Sequence, residues 1–595
     1  MPGFIASIGN SIQIPEENNE RLLISTLQGD GYQISRRTCK KFLNDKIVED
    51  NDRFLLLIEG VIVNSRELAR KYNAADWKDC VLQLHRLDPD TFYKEFRGSF
   101  CGCVHEKDTG RWTFFTDQIG AKQIFYACLP GGFVVGTEIS YMADTLKANG
   151  VALTLDRDAA YMDLTLGYVI EDKTLFKEIH KLCAGHFLTL TGDNLQEKQY
   201  HRFSNKPTEM TLDEAIEGID HYFREAVRLN FEKDREYGYK HWATLSGGLD
   251  SRMTVWVAHD LGYTKQLNLN FGQSNYIDFQ VGQQIATDLR HDFLFKALDN
   301  GNCIYELDKI TELTGGSACF FGVSHTRSLF DKIDYSNYGI VHTGEMGDGI
   351  LGCYIKGNLE KRKDINIMDG GYSVELSDRL AGYHLKYTYE DAEMYMTYNQ
   401  GFCFTGQGTL GYDQQFTEAL SPFCNVEFME FCYSIPIQYR FKHKIYFDWI
   451  LNKYPKAANY IWTGHGHLIQ HIDNEDKTRY MTVFGNKVPH FSDPDFFNYL
   501  KGFLLRRLGL RKKTAKPQDK HTFTLSTKDH MNPVDYWYAT NPELKSFMDN
   551  YWNDNKDLVK DPQLKEDMRY LYEDCIAVYD KMQVLTVLSA IKMYL

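Results

Sequence analysis

Apolar and polar positions along the first 200 residues form short runs that predict β-strands. Runs of apolar or aromatic residues, each bounded by Gly, Asp or Pro, lie at residues 53–63, 98–106, 111–117, 123–129 and 131–138. Runs of this kind predict strands, whereas the spacing of apolar positions at residues 78–87 predicts a helix. The mixture predicts an α+β first domain over residues 1–200, with stacked antiparallel sheets and flanking helices.

The pattern changes after residue 200. Residues 201–211 form a polar connector, and apolar positions at helical spacing follow Thr211 and Glu214, which have the spacing of a capping box. Strand candidates, each followed by a helical pattern, then lie at residues 239–245, 265–271 and 338–344. Alternating strands and helices predict a mostly parallel sheet with helices on both faces. We therefore predict a second domain over residues 201–595, mainly helical after about residue 370.

The first of these strand candidates ends in a glycine-rich loop with the sequence SGGLDS. Its candidate ligand residues are Ser246, Gly247, Gly248, Asp250 and Ser251. At a strand–glycine–helix junction, backbone N–H groups and the positive end of the helix favour a phosphate, and serine hydroxyls can add donors. A carboxylate would repel that phosphate unless a cation lay between them, so Asp250 predicts bound Mg²⁺.

A second glycine-rich acidic loop, TGEMGDG, follows the strand candidate at residues 338–344 and contains Gly344, Glu345 and Asp348. The first loop resembles the SGGxDS loop of enzymes that cleave ATP between its α and β phosphates. The second resembles the SGEGSDE loop of asparagine synthetases. The resemblance implies that both loops bind ATP, with Gly344 in the nucleotide site, and that Asp250 and Asp348 bind Mg²⁺. It also implies that Glu345 faces the activated acyl group, where a carboxylate could accept the proton of an attacking amine; a helix cap is its alternative role.

The resemblance to asparagine synthetases covers most of the chain. Further segments similar to landmarks of that family lie at residues 117–127, 136–142, 171–190 and 420–431. The family implies an amino-terminal Ntn-hydrolase-like sandwich with α/β/β/α layers. It also implies an ATP-pyrophosphatase domain, of the adenine nucleotide α-hydrolase-like type, with a parallel sheet and a helical carboxy-terminal part.

The first domain departs from the family at the positions that hydrolyse glutamine. The family uses a cysteine at position 2, where this chain has Pro2, which has no thiol to act as a nucleophile. Glu59 and Val61 stand where the glutamine-binding Asn and Glu would be, and residues 77–81 match the acidic recognition segment poorly. We expect an inactive glutaminase, as in the β-lactam synthetases and lasso-peptide cyclases, which the chain resembles in lacking the cysteine.

The second domain lacks the lysine that the family carries just after a tryptophan. In the corresponding stretch, residues 460–471, the cationic candidate is His465, with Lys442 or Lys444 as substitutes from the preceding helix. Such a cation would stabilise charge on the adenylate and the departing phosphates. His467 and His471 would share one face of a helix and could bind a metal, but no nearby carboxylate or cysteine completes the set, and we favour surface or substrate-facing histidines.

Charge and cysteine content narrow the class of protein. The 595-residue chain has a net charge of −14, which argues against nucleic acid as a partner and against tRNA-modifying relatives of the loop. Thirteen scattered cysteines without zinc spacing, no signal-peptide pattern and no long apolar run predict a cytoplasmic protein with free thiols. The basic segment 500–521 could contact a membrane or a carrier-linked substrate, but a solvated helix end is the simpler interpretation. The sequence leaves open whether the chain forms a homo-oligomer.

These observations predict a ligase that uses ATP and Mg²⁺ to adenylate a small-molecule or peptide carboxylate, releases pyrophosphate and passes the acyl group to an amine or ammonia. Two alternatives stay open: synthesis of asparagine from aspartate with free ammonia, and a nucleotide-binding pseudoenzyme or scaffold. The three carboxylates at 250, 345 and 348 argue against the scaffold, which would need no metal ligands.

Overall fold

Two six-stranded antiparallel sheets make up the first 200 residues of the computed structural model. The model describes residues 2–9, 12–15, 19–330, 332–355, 363–405, 416–464, 466–472, 480–483, 486–489 and 526–595. The strands are β1 Gly3–Ile8, β2 Leu22–Gly29, β3 Tyr32–Cys39, β4 Ile47–Asp50, β5 Phe54–Ile62, β6 Gly98–Glu106, β7 Arg111–Thr116, β8 Phe125–Leu129, β9 Gly132–Gly136, β10 His180–Lys181, β11 His186–Thr191 and β12 Asn194–Gln199. One sheet has the order β10-β8-β9-β1-β3-β2 and the other β12-β11-β7-β6-β5-β4.

The two sheets pack face to face and are covered by helices on their outer faces. The helices are α1 Ser65–Lys71, α2 Trp77–Leu87, α3 Ile139–Ala148 and α4 Arg157–Leu166. Along β5, Leu55 and Leu57 lie in the core between the sheets, whereas Leu56 and Ile58 pack with residues of α1 and α2. Ile5 of β1 belongs to the cluster that includes α3 and α4. Because side chains alternate along a strand, each sheet serves two cores, and the layers follow the expected α/β/β/α order.

The second part of the chain contains a five-stranded parallel sheet. Its strands are β13 Lys240–Thr244, β14 Gln266–Gly272, β15 Asp292–Ala297, β16 Tyr338–His342 and β17 Ala419–Leu420. Their order is β15-β14-β13-β16-β17, and every neighbouring pair is parallel. The chain proceeds outward from β13 in one direction and from β16 in the other. The carboxyl ends of β13 and β16 therefore flank a topological switch point, where sheets of this type bind ligands.

Helices surround this sheet and predominate among the described residues beyond 370. They are α5 Leu212–Tyr237, α6 Leu249–Asp260, α7 Ile277–Leu289, α8 Leu307–Thr314, α9 Phe321–Phe330, α10 Ala392–Met396, α11 Val426–Ser434, α12 Ile437–Arg440, α13 Lys444–Lys453, α14 Pro455–Ala458, α15 Val534–Thr540, α16 Pro542–Asn555, α17 Pro562–Arg569 and α18 Val578–Tyr594. The described residues beyond 370 also include a β-hairpin, which consists of β18 Tyr480–Val483 and β19 Asn486–Pro489. Within the described ranges, no helix combines the length and apolar character needed to cross a membrane.

Most individual elements expected from the sequence are confirmed. The predicted capping box is present at α5: Glu214 N donates to Thr211 Oγ1 over 3.2 Å, and Thr211 N donates to Glu214 Oε2 over 2.7 Å. None of the thirteen cysteines forms a disulfide bond, and nine of them are buried. The sequence prediction missed β15, whose side chains are mostly half-buried and so lack a clear apolar pattern.

A buried ion cluster joins the antiparallel sandwich to the parallel sheet. Glu418, just before β17, is fully buried, and its carboxylate lies 2.9 Å from Lys122 Nζ and 3.4 Å from Lys46 Nζ. Burial alone would raise the pKa of Glu418, but the two ammonium groups outweigh it and hold the pKa below its usual value. Removing one member of such a cluster leaves buried charge without a partner, which is costly.

We expect Glu418→Gln to lower the free energy of unfolding by about 3–5 kcal/mol, because the amide cannot neutralise two buried ammonium groups. Urea titration monitored by circular dichroism measures this loss. The matched control is Asp557→Asn, which removes a carboxylate from the exposed pair with Lys565 and should leave the unfolding curve unchanged. Equal curves for Glu418→Gln and the control would contradict the role assigned to Glu418.

Candidate active site

The loop between β13 and α6 is fixed by its contacts with a distant segment. A side chain at Gly247 would place its Cβ 2.2 Å from Thr463 Cγ2, so this position is glycine because Thr463 packs directly onto it. Neither Gly247 nor Gly248 has a positive φ. Gly247 is therefore needed for the close approach of Thr463 and not for a left-handed backbone conformation.

The N–H groups of Ser246, Gly247 and Gly248 donate to side chains of the protein. Gly247 N donates to Asp278 Oδ1 over 2.9 Å, and Gly248 N donates to Ser246 Oγ over 3.1 Å. Ser246 N donates to Ser251 Oγ over 3.0 Å, and the two serine hydroxyls are hydrogen-bonded to each other. The strand–glycine–helix pattern predicted N–H groups available to a phosphate, whereas these three N–H groups already have acceptors in the protein. A phosphate bound here would compete with Ser246 Oγ for the Gly248 N–H.

Arg252, the residue that follows the loop, ties it to the segment around α14. Its side chain is fully buried, and its guanidinium donates to the carbonyl oxygens of Gly247, Ala457, Tyr460 and Ile461 over 2.8–3.1 Å. The planar guanidinium, with five N–H donors, suits several carbonyl acceptors at once. Arg252 therefore positions the loop, a role that its place in the sequence did not indicate.

The second loop, between β16 and residue 349, packs against the first. A side chain at Gly344 would place its Cβ 2.3 Å from Ser251 N, and one at Gly347 would place it 2.6 Å from Asp250 Cγ. Met346 between them has a φ of 69°, a left-handed conformation that favours glycine. The structure thus brings Gly344, Asp250 and Ser251 together at the switch point, in agreement with the sequence prediction.

Three carboxylates converge where the loops meet. Burial raises the pKa of Asp250 well above its usual value, and the nearby charges of Asp348 and Glu345 raise it further. Tyr446 OH donates to Asp250 Oδ1 over 2.7 Å, which partly offsets this effect. Carboxylate oxygens are the ligands that Mg²⁺ prefers, and a divalent cation would relieve their mutual repulsion. The side chains of Asp250 and Asp348 therefore fit the expected metal.

Glu345 lies at the junction of two cavities. The first, of about 300 Å³, is lined by both loops and also by Asn270, Asp278 and Met531. The second, of about 360 Å³, shares Phe271, Glu345 and Met531 with the first. Ser421 Oγ donates to the backbone oxygen of Glu345 over 2.8 Å, which holds the loop in place. The π-helical segment Gly349–Cys353 begins after Asp348 without a side-chain cap, so the structure gives no support to a capping role for Glu345.

The expected cationic residues have different environments. His465 and the basic segment 500–521 lie outside the described residues. Lys444 Nζ lies 2.9 Å from Asp448 Oδ2, so its charge is paired with that carboxylate. Lys442 is exposed, and the turn that contains it, Phe441–His443, packs against Gly349–Cys353 beside the second loop. Lys442 is therefore the better placed of the two lysines.

The expected metal-binding pair His467 and His471 is not formed. Residues 466–472 are not helical, because His467 forms an isolated β-bridge with Trp462 across the turn at Gly466. His471 Nδ1 instead lies 2.6 Å from Asp448 Oδ1, and both histidines are exposed, as the surface interpretation predicted.

The sequence also missed His443. Ligand atoms of Asp348, Cys353 and His443 lie within 4.8 Å of one another, which places His443 beside the predicted metal ligand Asp348.

The place expected for glutamine holds a buried ion pair. Glu59 is 1% exposed, forms an ion pair with Arg36 and accepts a hydrogen bond from Thr38 Oγ1 over 2.8 Å. Arg36 lies on β3 and Glu59 on β5, so the ion pair joins the two sheets. Arg36 is opposite Phe4 in the register of β1 and β3, which places the pair near Pro2. Val61 is fully buried. An acidic and an apolar side chain here offer no pair of groups suited to holding a glutamine substrate.

Residues 44–201 match the glutamine amidotransferase domain family. The sequence is 23% identical to "Putative asparagine synthetase (glutamine-hydrolyzing) 2" of Methanocaldococcus jannaschii over 351 residues. The match covers 56% of this chain and 66% of that protein. Over 203 residues, 33% of the chain, the sequence is 26% identical to amidase chyE of Penicillium rubens, covering 28% of that protein. Over 217 residues, 34% of the chain, it is 26% identical to a "Putative asparagine synthetase (glutamine-hydrolyzing)" of Mycobacterium bovis, covering 32%. The chain thus spans less than two thirds of the length of each relative.

The sandwich and the matched segment define a protein with an amino-terminal domain of the glutamine amidotransferase type, joined to a parallel sheet with helices. Over the matched segments, the chain is similar to proteins named as putative asparagine synthetases, at 23–26% identity.

We expect the purified protein to release no glutamate from glutamine above the rate of a blank, because Pro2 has no thiol and Glu59 with Arg36 occupies the pocket. An enzyme-coupled assay for glutamate checks this. Pro2→Cys should release none either, since the thiol alone does not clear the ion pair. Glutamate release by the unaltered protein would contradict the prediction, and release by Pro2→Cys alone would show that the pocket is open.

Proposed function

We propose that this protein is a ligase that uses ATP and Mg²⁺ to adenylate a substrate carboxylate, releases pyrophosphate and transfers the acyl group to an amine or ammonia. The observation that carries the proposal is the contact of two glycine-rich loops at a switch point, with Asp250, Asp348 and Glu345 around one cavity. Relatives named as asparagine synthetases support the same chemistry.

The cavity between the loops has the size and the groups for a nucleotide. Its volume of about 300 Å³ lies at the lower end of the range for ligand pockets. We propose that the loop Ser246–Ser251 and Gly344 hold the phosphates, where the amino-terminal end of α6 adds a favourable dipole. Arg252 and Asp278 keep the loop in position from behind, and a bound phosphate would replace Ser246 Oγ as the acceptor of the Gly248 N–H.

Asp250 and Asp348 would hold the Mg²⁺ ion. When bound, the ion supplies the positive charge that offsets the phosphate oxygens and polarises them for displacement. Tyr446 orients the Asp250 carboxylate through its 2.7 Å hydrogen bond. Lys442 or His443, beside the second loop, would stabilise the negative charge of the departing pyrophosphate.

We assign Glu345 to the second half of the reaction. Its position between the two cavities suits a group that accepts the proton of the attacking amine as the amide bond forms. A second candidate function is the synthesis of asparagine from aspartate with free ammonia, which the names of the relatives favour. Both functions share the adenylation step and differ in the acid and the amine.

We expect Asp250→Asn and Asp348→Asn each to slow carboxylate-dependent exchange of labelled pyrophosphate into ATP by about 100-fold or more, because an amide is a weaker, uncharged metal ligand. The control is Asp193→Asn in an exposed loop of the sandwich, which should exchange at the unaltered rate. Wild-type exchange by either variant in saturating Mg²⁺ would remove that residue from the metal site.

Glu345→Gln separates the two half-reactions. We expect it to retain pyrophosphate exchange and to lose amide formation by about 10²–10⁴-fold, the usual contribution of a general base. Single-turnover measurements of pyrophosphate release and of amide product check both steps on one preparation. Equal loss of exchange and amide formation would assign Glu345 to the nucleotide site, and loss of neither would remove it from the mechanism.

A further inference from the structure

The second cavity is placed to receive the side chain of the acyl substrate. It meets the nucleotide cavity at Glu345 and shares Phe271 and Met531 with it. A carboxylate at this junction would reach the phosphates on one side and the base on the other. The rest of an acid bound there must then extend into the second cavity, so the lining of that cavity sets the class of acid.

Aromatic rings dominate this lining. The five aromatic side chains are Phe271, Phe321, Tyr372, Phe404 and Tyr579. Tyr579 stacks on Tyr372 with ring centroids 6.1 Å apart and meets the edge of Phe321 at 5.8 Å. Flat walls of this kind favour a planar apolar group, which gains burial and ring–ring contact together.

The lining offers no cation for a second carboxylate. Among the described residues that line the cavity there is no lysine or arginine, and Glu345 adds a negative charge. Burial lowers the pKa of His325 to about 4, so its imidazole is neutral at pH 7. An acid such as aspartate would bring both its α-carboxylate and its α-ammonium group into this aromatic cavity, where the carboxylate meets no cation of the lining, at a large cost in desolvation.

Two buried polar atoms in the lining have no hydrogen-bond partner among the described residues. They are His325 Nε2 and Asn532 Oδ1, on side chains of residues that are 8% and 5% exposed. Phe271 stacks on the His325 imidazole at 5.8 Å and Phe321 meets it edge-on at 4.6 Å, so the ring is held in place. Buried polar atoms are costly unless they are paired. A hydroxyl on the ligand could donate to Asn532 Oδ1 and accept from His325 Nε2.

We propose that the acyl substrate is a monocarboxylic acid with an uncharged aromatic side chain that carries a hydrogen-bonding substituent, bound in this cavity against His325 and Asn532. The proposal rests on the ligase function above, whose acid it specifies. Aspartate is thereby excluded as the preferred acid.

The test is isothermal titration calorimetry of the full chain with three acids, in the presence of Mg²⁺ and α,β-methylene-ATP. We expect para-coumarate to bind about tenfold more tightly than cinnamate, the value of one good hydrogen bond, and aspartate to bind more weakly than both. His325→Phe should abolish the preference for para-coumarate over cinnamate. Tighter binding of aspartate than of para-coumarate overturns the proposal, as does a lack of binding by both aromatic acids. Equal binding of para-coumarate and cinnamate by the unaltered protein overturns the hydrogen-bonding part.

A matched pair of glycine substitutions locates the binding site. A Cβ at Gly322 lies 3.2 Å from Phe404 Cζ, so Gly322→Leu fills the cavity and should weaken para-coumarate binding by about tenfold or more, with nucleotide binding unchanged. A Cβ at Gly382 meets no atom within 4 Å, and Gly382→Leu should bind para-coumarate normally. Equal affinity of the two variants for para-coumarate overturns the assignment of the cavity.

Pyrophosphate exchange with the same three acids separates this proposal from the ligase function. If aspartate supports exchange and neither aromatic acid does, the proposed class of substrate is wrong, but the protein is still an adenylating ligase. If no acid supports exchange while Gly322→Leu still weakens para-coumarate binding, the ligase function fails and the cavity remains a site for aromatic acids.

Discussion

The close approach of two loops is the constraint on which the rest of the site depends. No side chain fits at Gly344 or Gly347, because the backbone of the second loop lies against Asp250 and Ser251 of the first. This contact holds the carboxylates of Asp250 and Asp348 close enough to interact and sets Glu345 between two cavities. Arg252 acts from the other side of the first loop and joins it to α14 and the residues that follow. The contact between the two loop backbones thus brings the side chains of the site together without a bound ligand.

Much of this arrangement could be predicted from the sequence, because it depends on local patterns. Strands that end in glycine-rich loops can be recognised one at a time, and parallel strands bring their carboxyl ends to one edge of the sheet. The meeting of Asp250 with Gly344 and Asp348 follows from those two facts. The capping box at Thr211 is another local pattern, since its two partners are three residues apart.

The remaining features depend on residues far apart in the chain, where no sequence pattern exists. Thr463, which explains the glycine at 247, is more than 200 residues away from it, and the aromatic cavity draws its rings from positions 271 to 579. The ion pair between Arg36 and Glu59 illustrates the same limit. The departure at Glu59 was visible in the sequence, but its partner on the opposite sheet was not. The prediction for His467 and His471 failed for a different, local reason, because a β-bridge between Trp462 and His467 replaces the helix that their spacing had predicted.

The buried cluster of Lys46, Lys122 and Glu418 also bears on how the chain is made. Lys122 and Glu418 are separated by 296 positions, so at ribosomal rates of about 5–20 residues per second the carboxylate emerges about 15–60 s after Lys122. Throughout that interval the two ammonium groups remain in water, and the face of the sandwich that will contact the parallel sheet stays hydrated. This contact between the two halves therefore waits for translation to pass β17, which makes the order of synthesis part of the order of assembly.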